Sequence, residues 1–328
     1  MNKRIEWIDA LRGFGILLVV IGHLKPAAPL ERYIYAVHMF LFFSISGYLF
    51  HEEKDICHFV KKKCQRLLIP YSFWTLLASI QALLSGEGIK NAVKVFLMYG
   101  GTIGWNRPLW FLAVLFAAEL VYGLLRRSCR FSNGICLLVC PWIWYMLEGE
   151  QLTMKLDIVP AAVFFLSFGN VWNRVLASAL YKNYRKWICA ALLPCCALVH
   201  IVCGVCWNRR IIFTYSRFGR YDLCLLAGMA GVAFFFLLFE LAGDSKRLRA
   251  FSRHSLFIMC SHYYVLYAMR WVSVRLTGCD LWNARGSIKA VFLGALVVAA
   301  LSAIGEGLHR KWGKIPGLRT CMNWIGLS

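Results

Sequence analysis

The chain is poor in charged residues for its length. Only 16% of its 328 residues are Asp, Glu, Lys or Arg, whereas soluble globular domains carry about 25%. No long hydrophilic stretch is present that could fold as a separate soluble domain. Hydrophobic residues instead make up 60% of the chain, and the mean hydropathy is +0.59. We therefore expect an integral membrane protein with a single membrane domain, 1–328.

Acidic residues are especially few. The chain has 16 Asp and Glu against 37 Lys and Arg, which gives a formal net charge of +21. Such an excess is typical of nucleic-acid-binding proteins, but here the basic residues lie between apolar stretches, where the positive-inside rule places them. The charge therefore predicts contact with a lipid bilayer and no nucleic-acid partner.

The fourteen cysteines lack the spacing of a disulfide framework or a metal site. Cys203 and Cys206 have CxxC spacing, but no second CxxC or HxxxH follows them. Most of the others lie in apolar runs, where a free thiol behaves as a small hydrophobic group. We expect no metal and no permanently bound cofactor.

Long apolar stretches recur along the whole chain. They approach the roughly 20 residues that a helix needs to cross a bilayer, and they are too long for barrel strands. These stretches predict an all-α, polytopic bundle of about ten transmembrane helices. The expected spans are 7–24, 34–50, 70–86, 108–125, 135–148, 157–172, 188–206, 223–242, 255–271 and 287–305, with 91–101 as a candidate re-entrant piece.

The distribution of Lys and Arg predicts the orientation. An even number of spans puts both termini on one side, and that side carries 22 Lys and Arg residues against 14 on the other. Because positive residues favour the cytoplasmic face, we expect both termini in the cytoplasm. The expected location is a cell membrane of the bacterial inner-membrane type, crossed many times.

Polar residues interrupt the first apolar stretch. Asp9, Arg12 and His23 lie in it, and a charge in hydrocarbon costs at least a few kcal/mol unless it faces a protein interior or a wet cavity. Arg12 and His23 differ by roughly 20° around a helix and lie about 16 Å apart along it. Histidine suits general-base catalysis near neutral pH. Arg12 either contacts a substrate or neutralises Asp9.

Three further motifs combine polar and aromatic residues. His38 opens an aromatic segment, a basic run at 61–66 precedes Pro70, and Trp110 lies within 108–112. Each motif also has a purely structural interpretation. His38 would hydrogen-bond a neighbouring span, the basic run would anchor the chain at the membrane surface, and Trp110 would lie in the interfacial aromatic belt.

Together these motifs resemble membrane acyltransferase family 3, and within it the sugar O-acetyltransferases of the fucose 4-O-acetylase type. Four ordered motifs carry the resemblance over about the first 125 residues. The rest of the chain resembles the family only as a series of hydrophobic spans, with a weak similarity around His262. The matching segments are D-x-x-R-G at 9–13 with G-H at 22–23, H-M-F-L-F-F-x-x-S-G-Y at 38–48 with Phe40 at the usual proline, K-x-x-R at 63–66 before Pro70-Tyr71, and P-L-W-F-L at 108–112.

The resemblance implies an O-acyltransferase that transfers an acyl group, chiefly acetyl, from cytoplasmic acyl-CoA to a hydroxyl of a cell-surface or lipid-linked carbohydrate. Acyl-CoA is then a donor substrate and the carbohydrate is the acceptor. The lysine at position 63 stands where the family pattern has arginine. The implied roles are catalysis for His23 and Arg12, donor binding for Lys63 and Arg66, and substrate binding for Asp9, His38 and Trp110.

A second function from another class stays open at the level of sequence. A membrane transporter, flippase or uptake module that shares the same membrane fold would also bury charges and histidines near the centre of the bilayer. In such a protein Lys63 and Arg66 would be surface anchors only. Turnover of labelled acyl-CoA by the purified protein separates the two functions.

Overall fold

The computed structural model describes residues 5–86, 88–91, 93–94, 106–284, 286–312 and 321–327. Over these ranges the fold is helical and contains no β-strand beyond one isolated bridge between Ile212 and Arg217. The prediction of an all-α protein is confirmed. Most of the candidate re-entrant piece at 91–101 lies outside the described residues.

The first part of the chain forms short and medium helices. A turn of π-helix, Cys64–Leu68, joins two of them into one continuous stretch. The helices are α1 (Glu6–His23), α2 (Ala28–Tyr35), α3 (His38–Tyr48), α4 (Ile56–Lys63), α5 (Ile69–Leu84), α6 (Trp110–Ser128) and α7 (Ser132–Met146).

The later part of the chain contains longer helices. A second turn of π-helix, Val202–Cys206, extends one of them. The helices are α8 (Val159–Ala177), α9 (Ala179–Ile201), α10 (Tyr221–Ala242), α11 (Lys246–Arg253), α12 (Ser255–Thr277) and α13 (Ser287–Trp312).

Among the described residues, six helical stretches are long and apolar enough to cross a membrane. The protein is therefore a multi-pass membrane protein. One of the six begins at Ile56, so the basic run at 61–66 lies within a continuous helical stretch and not in a loop before it. The six stretches are Ile56–Leu84, Arg107–Ser128, Thr153–Ala177, Ala179–Cys206, Tyr221–Ala242 and Ser287–Trp312.

The second apolar stretch, expected as one span, contains a break. Helix α2 ends at Tyr35 and α3 begins at His38. The end of a helix leaves carbonyl groups without intrahelical partners, and here the Nδ1–H of His38 donates to the carbonyl of Ile34 at 2.7 Å. The break therefore fixes the His38 ring at the start of α3.

Helices α3 and α8 pack with their backbones in close contact. A methyl group added at Gly47 would overlap the Leu166 carbonyl, and one added at Gly169 would overlap the Ser44 carbonyl. Small residues allow such close approach between membrane helices, where packing replaces the hydrophobic effect as the driving force. This contact fixes the position of α3, and with it the position of His38.

Helix α1 runs through the centre of the bundle and contacts α3, α10, α11, α12 and α13. Most of its side chains are buried, but Arg12 and His23 are only partly so. Glu6, at one end, pairs with Arg249 at 2.8 Å. His23 ends the helix at the other side of the bundle, about 24 Å from Trp7 by the helical rise.

Candidate active site

Two histidines from distant parts of the sequence meet at the end of α1. His23 Nδ1 lies 3.0 Å from Nε2 of His262, which belongs to α12. The second nitrogen of His262, Nδ1, lies 2.9 Å from the carbonyl oxygen of Ile258, one turn earlier in the same helix. His262 has no exposed surface. The pair therefore joins α1 to α12 through a buried chain of hydrogen bonds.

This chain fixes where each ring carries its proton. A carbonyl oxygen only accepts hydrogen bonds, so Nδ1 of His262 holds the hydrogen and, in the neutral ring, Nε2 is the acceptor. His23 must then donate from Nδ1. The Nε2 atom of His23 is left unprotonated, and no hydrogen bond to it is found within the described part of the chain. It is placed to accept a proton from a bound hydroxyl.

Aromatic side chains surround His23. The ring of Tyr263 lies 4.8 Å from the His23 ring and that of Tyr35 lies 6.4 Å away, both edge to face. The indole N–H of Trp282 donates to the carbonyl of His23 at 2.6 Å. These contacts restrict the orientation of the His23 ring and give the site apolar walls.

Arginines lie at the same end of the bundle. The guanidinium group of Arg210 stacks 4.3 Å from the centre of the Tyr35 ring and pairs with Glu31 at 3.1 Å. Arg210 and Arg107 are both close enough to interact electrostatically with His23. Two arginines therefore lie near His23, and one of them is paired with a carboxylate.

His38 lies beside this group. It interacts electrostatically with His23, and its ring packs edge to face on Tyr35 at 5.0 Å. Its Nδ1–H is used by the Ile34 carbonyl, so the neutral ring has Nε2 as its acceptor. The structure thus brings together His23 and His38, two of the residues predicted from sequence.

Trp110 occupies a different position from an interfacial belt residue. Its side chain is buried and stacks on Phe213 with ring centres 5.8 Å apart. Phe213 belongs to the same loop as Arg210. Trp110 therefore packs against the loop that carries Arg210.

Asp9 and Arg12 lie eleven or more residues before His23 on α1, towards its other end. Arg12 Nη1 lies 3.5 Å from Asp9 Oδ1, so the two form an i,i+3 ion pair. Asp9 is buried, whereas the Arg12 side chain is 21% exposed. The ion pair reduces the cost of keeping either charge inside the bundle.

Lys63 and Arg66 have different surroundings. Lys63 Nζ pairs with the buried Glu119, in the middle of α6, at 2.9 Å. Arg66 lies in the π-helical turn, is exposed, and has no carboxylate within 4 Å among the described residues. An arginine facing hydrocarbon is costly, so the exposed face of Arg66 indicates a wet cavity or the membrane surface. The π-helical turn is itself a frequent feature of functional sites.

Several residues of the His23 environment were missed by sequence reasoning. The segment around His262 resembled the family only weakly, although a histidine inside an apolar run is the same signal that singled out His23. Tyr35 gave no distinguishing signal, because a tyrosine near a span end is an ordinary interfacial residue. Arg210 stood out in the sequence only as one of four arginines, with Arg209, Arg217 and Arg220, on the side that carries fewer positive residues, where they either have no role or bind an anionic headgroup or glycan.

Comparison with known proteins agrees with the geometry. The described residues include six helices long enough to cross a membrane and a pair of contacting histidines inside the bundle. Residues 5–305 match the acyltransferase domain of acyltransferase family 3, and the chain belongs to that family. The protein is an O-acyltransferase.

The chain is also similar to the nodulation protein NolL of Sinorhizobium fredii. The two are 24% identical over 355 aligned residues, which cover 92% of this chain and 88% of NolL. The similarity therefore extends over nearly the full length of both proteins. No solved structure matches the chain significantly.

Proposed function

We propose that the protein transfers an acyl group, in the first place acetyl, from acyl-CoA to a hydroxyl group of a carbohydrate, with Nε2 of His23 as the general base. The observation that carries the proposal is the hydrogen-bond chain from Ile258 through His262 to His23. This chain leaves one basic nitrogen directed away from its partners. A base of this kind typically accelerates such a reaction by about 10² to 10⁴-fold.

The chemistry balances with the residues present. Nε2 of His23 accepts the proton of the acceptor hydroxyl as its oxygen attacks the thioester carbonyl. The C–O bond forms, the C–S bond breaks, and the proton passes from His23 to the departing sulfur of CoA. Throughout, the Nδ1–H of His23 remains bonded to His262, which orients the imidazolium as it forms.

The donor is proposed to enter at the other end of α1. Arg12 is partly exposed on the same helix as His23, about 16 Å away by the helical rise. Arg66 is exposed, and CoA phosphates need cationic partners. Lys63 is already paired with Glu119, so its role at the donor is smaller than that of Arg66.

A carbohydrate acceptor is supported by the character of the His23 environment. Sugar rings present C–H faces that stack on aromatic side chains, and hydroxyls that need polar partners. Tyr35 and Tyr263 supply rings beside His23. His38 supplies a neighbouring nitrogen acceptor. Asp9 is too far along α1 to contact the same acceptor and acts through Arg12.

We further propose that the chain crosses the membrane ten times with both termini in the cytoplasm. Six crossings are the long stretches given above. The other four are α1, the broken pair α2 and α3, the short apolar helix α7, and α12. Reporter fusions at position 60 and at the C-terminus test this orientation. Extracytoplasmic signals at both positions would contradict it.

The direct test of the reaction uses the purified full-length protein and labelled acetyl-CoA with carbohydrate acceptors. His23→Ala should lower transfer by about 10² to 10⁴-fold, because general-base assistance is lost. Circular dichroism and thermal unfolding should show that the variant stays folded. A rate close to that of the unmodified protein would remove His23 from the mechanism.

His200 offers a matched control. It is also a buried histidine whose Nδ1–H donates to a backbone carbonyl, that of Ala227, at 2.8 Å. It packs on Tyr33 and takes no part in the His23 chain. His200→Gln should therefore change stability more than transfer, whereas His23→Ala should do the reverse.

A further inference from the structure

Two arginines lie beside His23, at the end of α1 opposite the proposed donor site. Arg107 and Arg210 both lie close enough to His23 to interact with it electrostatically. The charge of Arg210 is compensated by Glu31, whose Oε1 lies 3.1 Å from Nη1 of the arginine. Arg107 is exposed, and no carboxylate of the described chain lies within 4 Å of it. One unit of positive charge is therefore left over next to the base.

The guanidinium group of Arg210 is held with part of its binding capacity unused. One face lies over the Tyr35 ring and Nη1 contacts Glu31. Its Nε is buried and has no hydrogen-bond partner in the described structure. A planar guanidinium group is suited to carboxylate and phosphate oxygens, and the Nε–H of Arg210 is one donor that the described structure leaves unused.

The loop 207–220, which we call the Arg210 loop, is fixed by buried hydrogen bonds. The side-chain amide of Asn208 donates to the Phe218 carbonyl at 3.0 Å, and its oxygen accepts from the Arg220 N–H at 2.8 Å. The two ends of the loop are thereby joined. Arg210 is positioned before any ligand binds, which lowers the entropic cost of binding.

A second anchor holds the same loop. Ser216 is buried, has a φ of 49°, and hydrogen-bonds the fully buried pair of Lys155 and Asp157. Lys155 itself has a φ of 59°. Backbone strain of this kind persists only where the surroundings enforce it, and it gathers at functional sites.

The charge pattern of the sequence points the same way. Positive residues are normally depleted on the side of the membrane opposite the cytoplasm. The Arg210 loop nevertheless carries Arg209, Arg210 and Arg217, with Arg220 at its end. Glu31 and Asp222 pair with two of these arginines. If this end of the bundle is extracytoplasmic, as proposed, an anionic ligand would account for the remaining positive charge.

From these observations we propose that the acceptor is anionic, and that Arg107 and Arg210 bind its carboxylate or phosphate beside His23. The inference rests on the proposed function and specifies its acceptor class. The two sources of negative charge are an acidic sugar, such as a uronic acid, and the phosphate that links a sugar to a lipid. The negative group is bound at the arginines while a neighbouring hydroxyl reaches Nε2 of His23.

The test compares three acceptors that share a glucose ring: methyl glucoside, methyl glucuronide and glucose 1-phosphate. Initial rates of transfer from labelled acetyl-CoA and dissociation constants are measured with the full-length protein. At least one anionic compound should be preferred over the glucoside by roughly 10- to 100-fold, as expected for charge-assisted hydrogen bonds. Preference for the glucuronide indicates an acidic sugar, and preference for the phosphate indicates a phosphate-linked sugar.

Variants assign the preference to particular residues. Arg107→Gln and Arg210→Gln should each weaken binding and transfer of the anionic acceptor by a larger factor than those of methyl glucoside, so that most of the preference is lost. Glu31→Gln should increase the preference, because it frees Arg210 from its carboxylate. Arg220→Gln removes an exposed charge that already pairs with Asp222 at 2.6 Å and should leave the preference intact. If Arg210→Gln fails to fold, the result for Arg107→Gln alone decides whether the arginines cause the preference for anionic acceptors.

The outcomes separate this inference from the proposed reaction. Equal affinities and rates for the three acceptors would overturn it even if acetyl transfer occurs. Equal loss of rate on neutral and anionic acceptors in Arg107→Gln and Arg210→Gln would also overturn it, because the arginines would then stabilise the reacting oxyanion. Tight anion binding without any transfer would refute the proposed reaction and leave the anion site standing.

Discussion

The hydrogen bond between His23 and His262 leads to a quantitative prediction. In His262→Leu, the Nδ1–H of His23 loses the acceptor that now lies 3.0 Å away. A buried donor without a partner costs about 1 to 3 kcal/mol, and His23 avoids that cost by rotating or by moving its proton to Nε2. Either change makes Nε2 of His23 a poorer proton acceptor, so kcat should fall by roughly 10- to 100-fold, given that 1.4 kcal/mol corresponds to about tenfold in rate.

The Michaelis constant for acyl-CoA should change little in the same variant. His262 is fully buried and contacts His23 rather than the donor end of α1. His262→Gln provides the matched control, because its side-chain oxygen can still accept a hydrogen bond from Nδ1–H. It should recover part of the lost kcat, whereas Leu should recover none.

Nitrogen NMR of selectively labelled histidine gives a measurement independent of activity. In the unmodified protein His23 should carry its proton on Nδ1, as the chain through His262 to the Ile258 carbonyl requires. In His262→Leu the resonance should shift towards the Nε2–H tautomer. An unchanged tautomer together with an unchanged kcat in a folded His262→Leu protein would refute the reasoning.

Three other substitutions test the donor site and the packing. Arg66→Glu should raise the Michaelis constant for acyl-CoA by roughly tenfold with kcat nearly unchanged, because a charge-assisted phosphate contact is lost. Steady-state kinetics at varied acyl-CoA concentration measure this constant. An unchanged constant would mean that Arg66 only anchors the helix at the membrane surface. Gly169→Leu should lower the unfolding temperature, since its side chain would overlap the Ser44 carbonyl. Asp157→Asn should lower the free energy of unfolding by about 3 to 5 kcal/mol, because the buried Lys155 charge is left unpaired. Thermal unfolding measures this loss, and Asp222→Asn is the control for an exposed ion pair.

The sequence predicted the helical class and the residues of α1 because both depend on local signals. Apolar stretches of bilayer length define helices, and a polar residue inside such a stretch requires a reason to be there. His23 was found in this way. The spacing of Arg12 and His23 followed from helix geometry alone.

The partners of His23 could not be found from those signals. His262 lies 239 residues away, and only the packing of α12 on α1 brings the two rings together. The pairing of Lys63 with Glu119 likewise depends on where α6 packs. Pro70 predicted a boundary before the third span, yet the helical stretch continues through it. Proline has no backbone N–H to donate within a helix, and Pro70 follows closely after the π-helical turn Cys64–Leu68, where the hydrogen-bond pattern of the helix is already irregular.

The residues of the proposed site differ in how the fold holds them in place. Arg12 and His23 belong to one buried helix, so their separation is set by covalent geometry and by the packing of α1 against its neighbours. His262 and Arg210 are held by tertiary contacts from α12 and the Arg210 loop. The distance between Arg12 and His23 is therefore nearly constant, whereas the tautomer of His23 and the position of Arg210 depend on how other elements pack. If the Arg210 loop binds the acceptor as proposed, divergence among related acyltransferases should concentrate in that loop, because changes there leave the spacing of Arg12 and His23 on α1 unaltered.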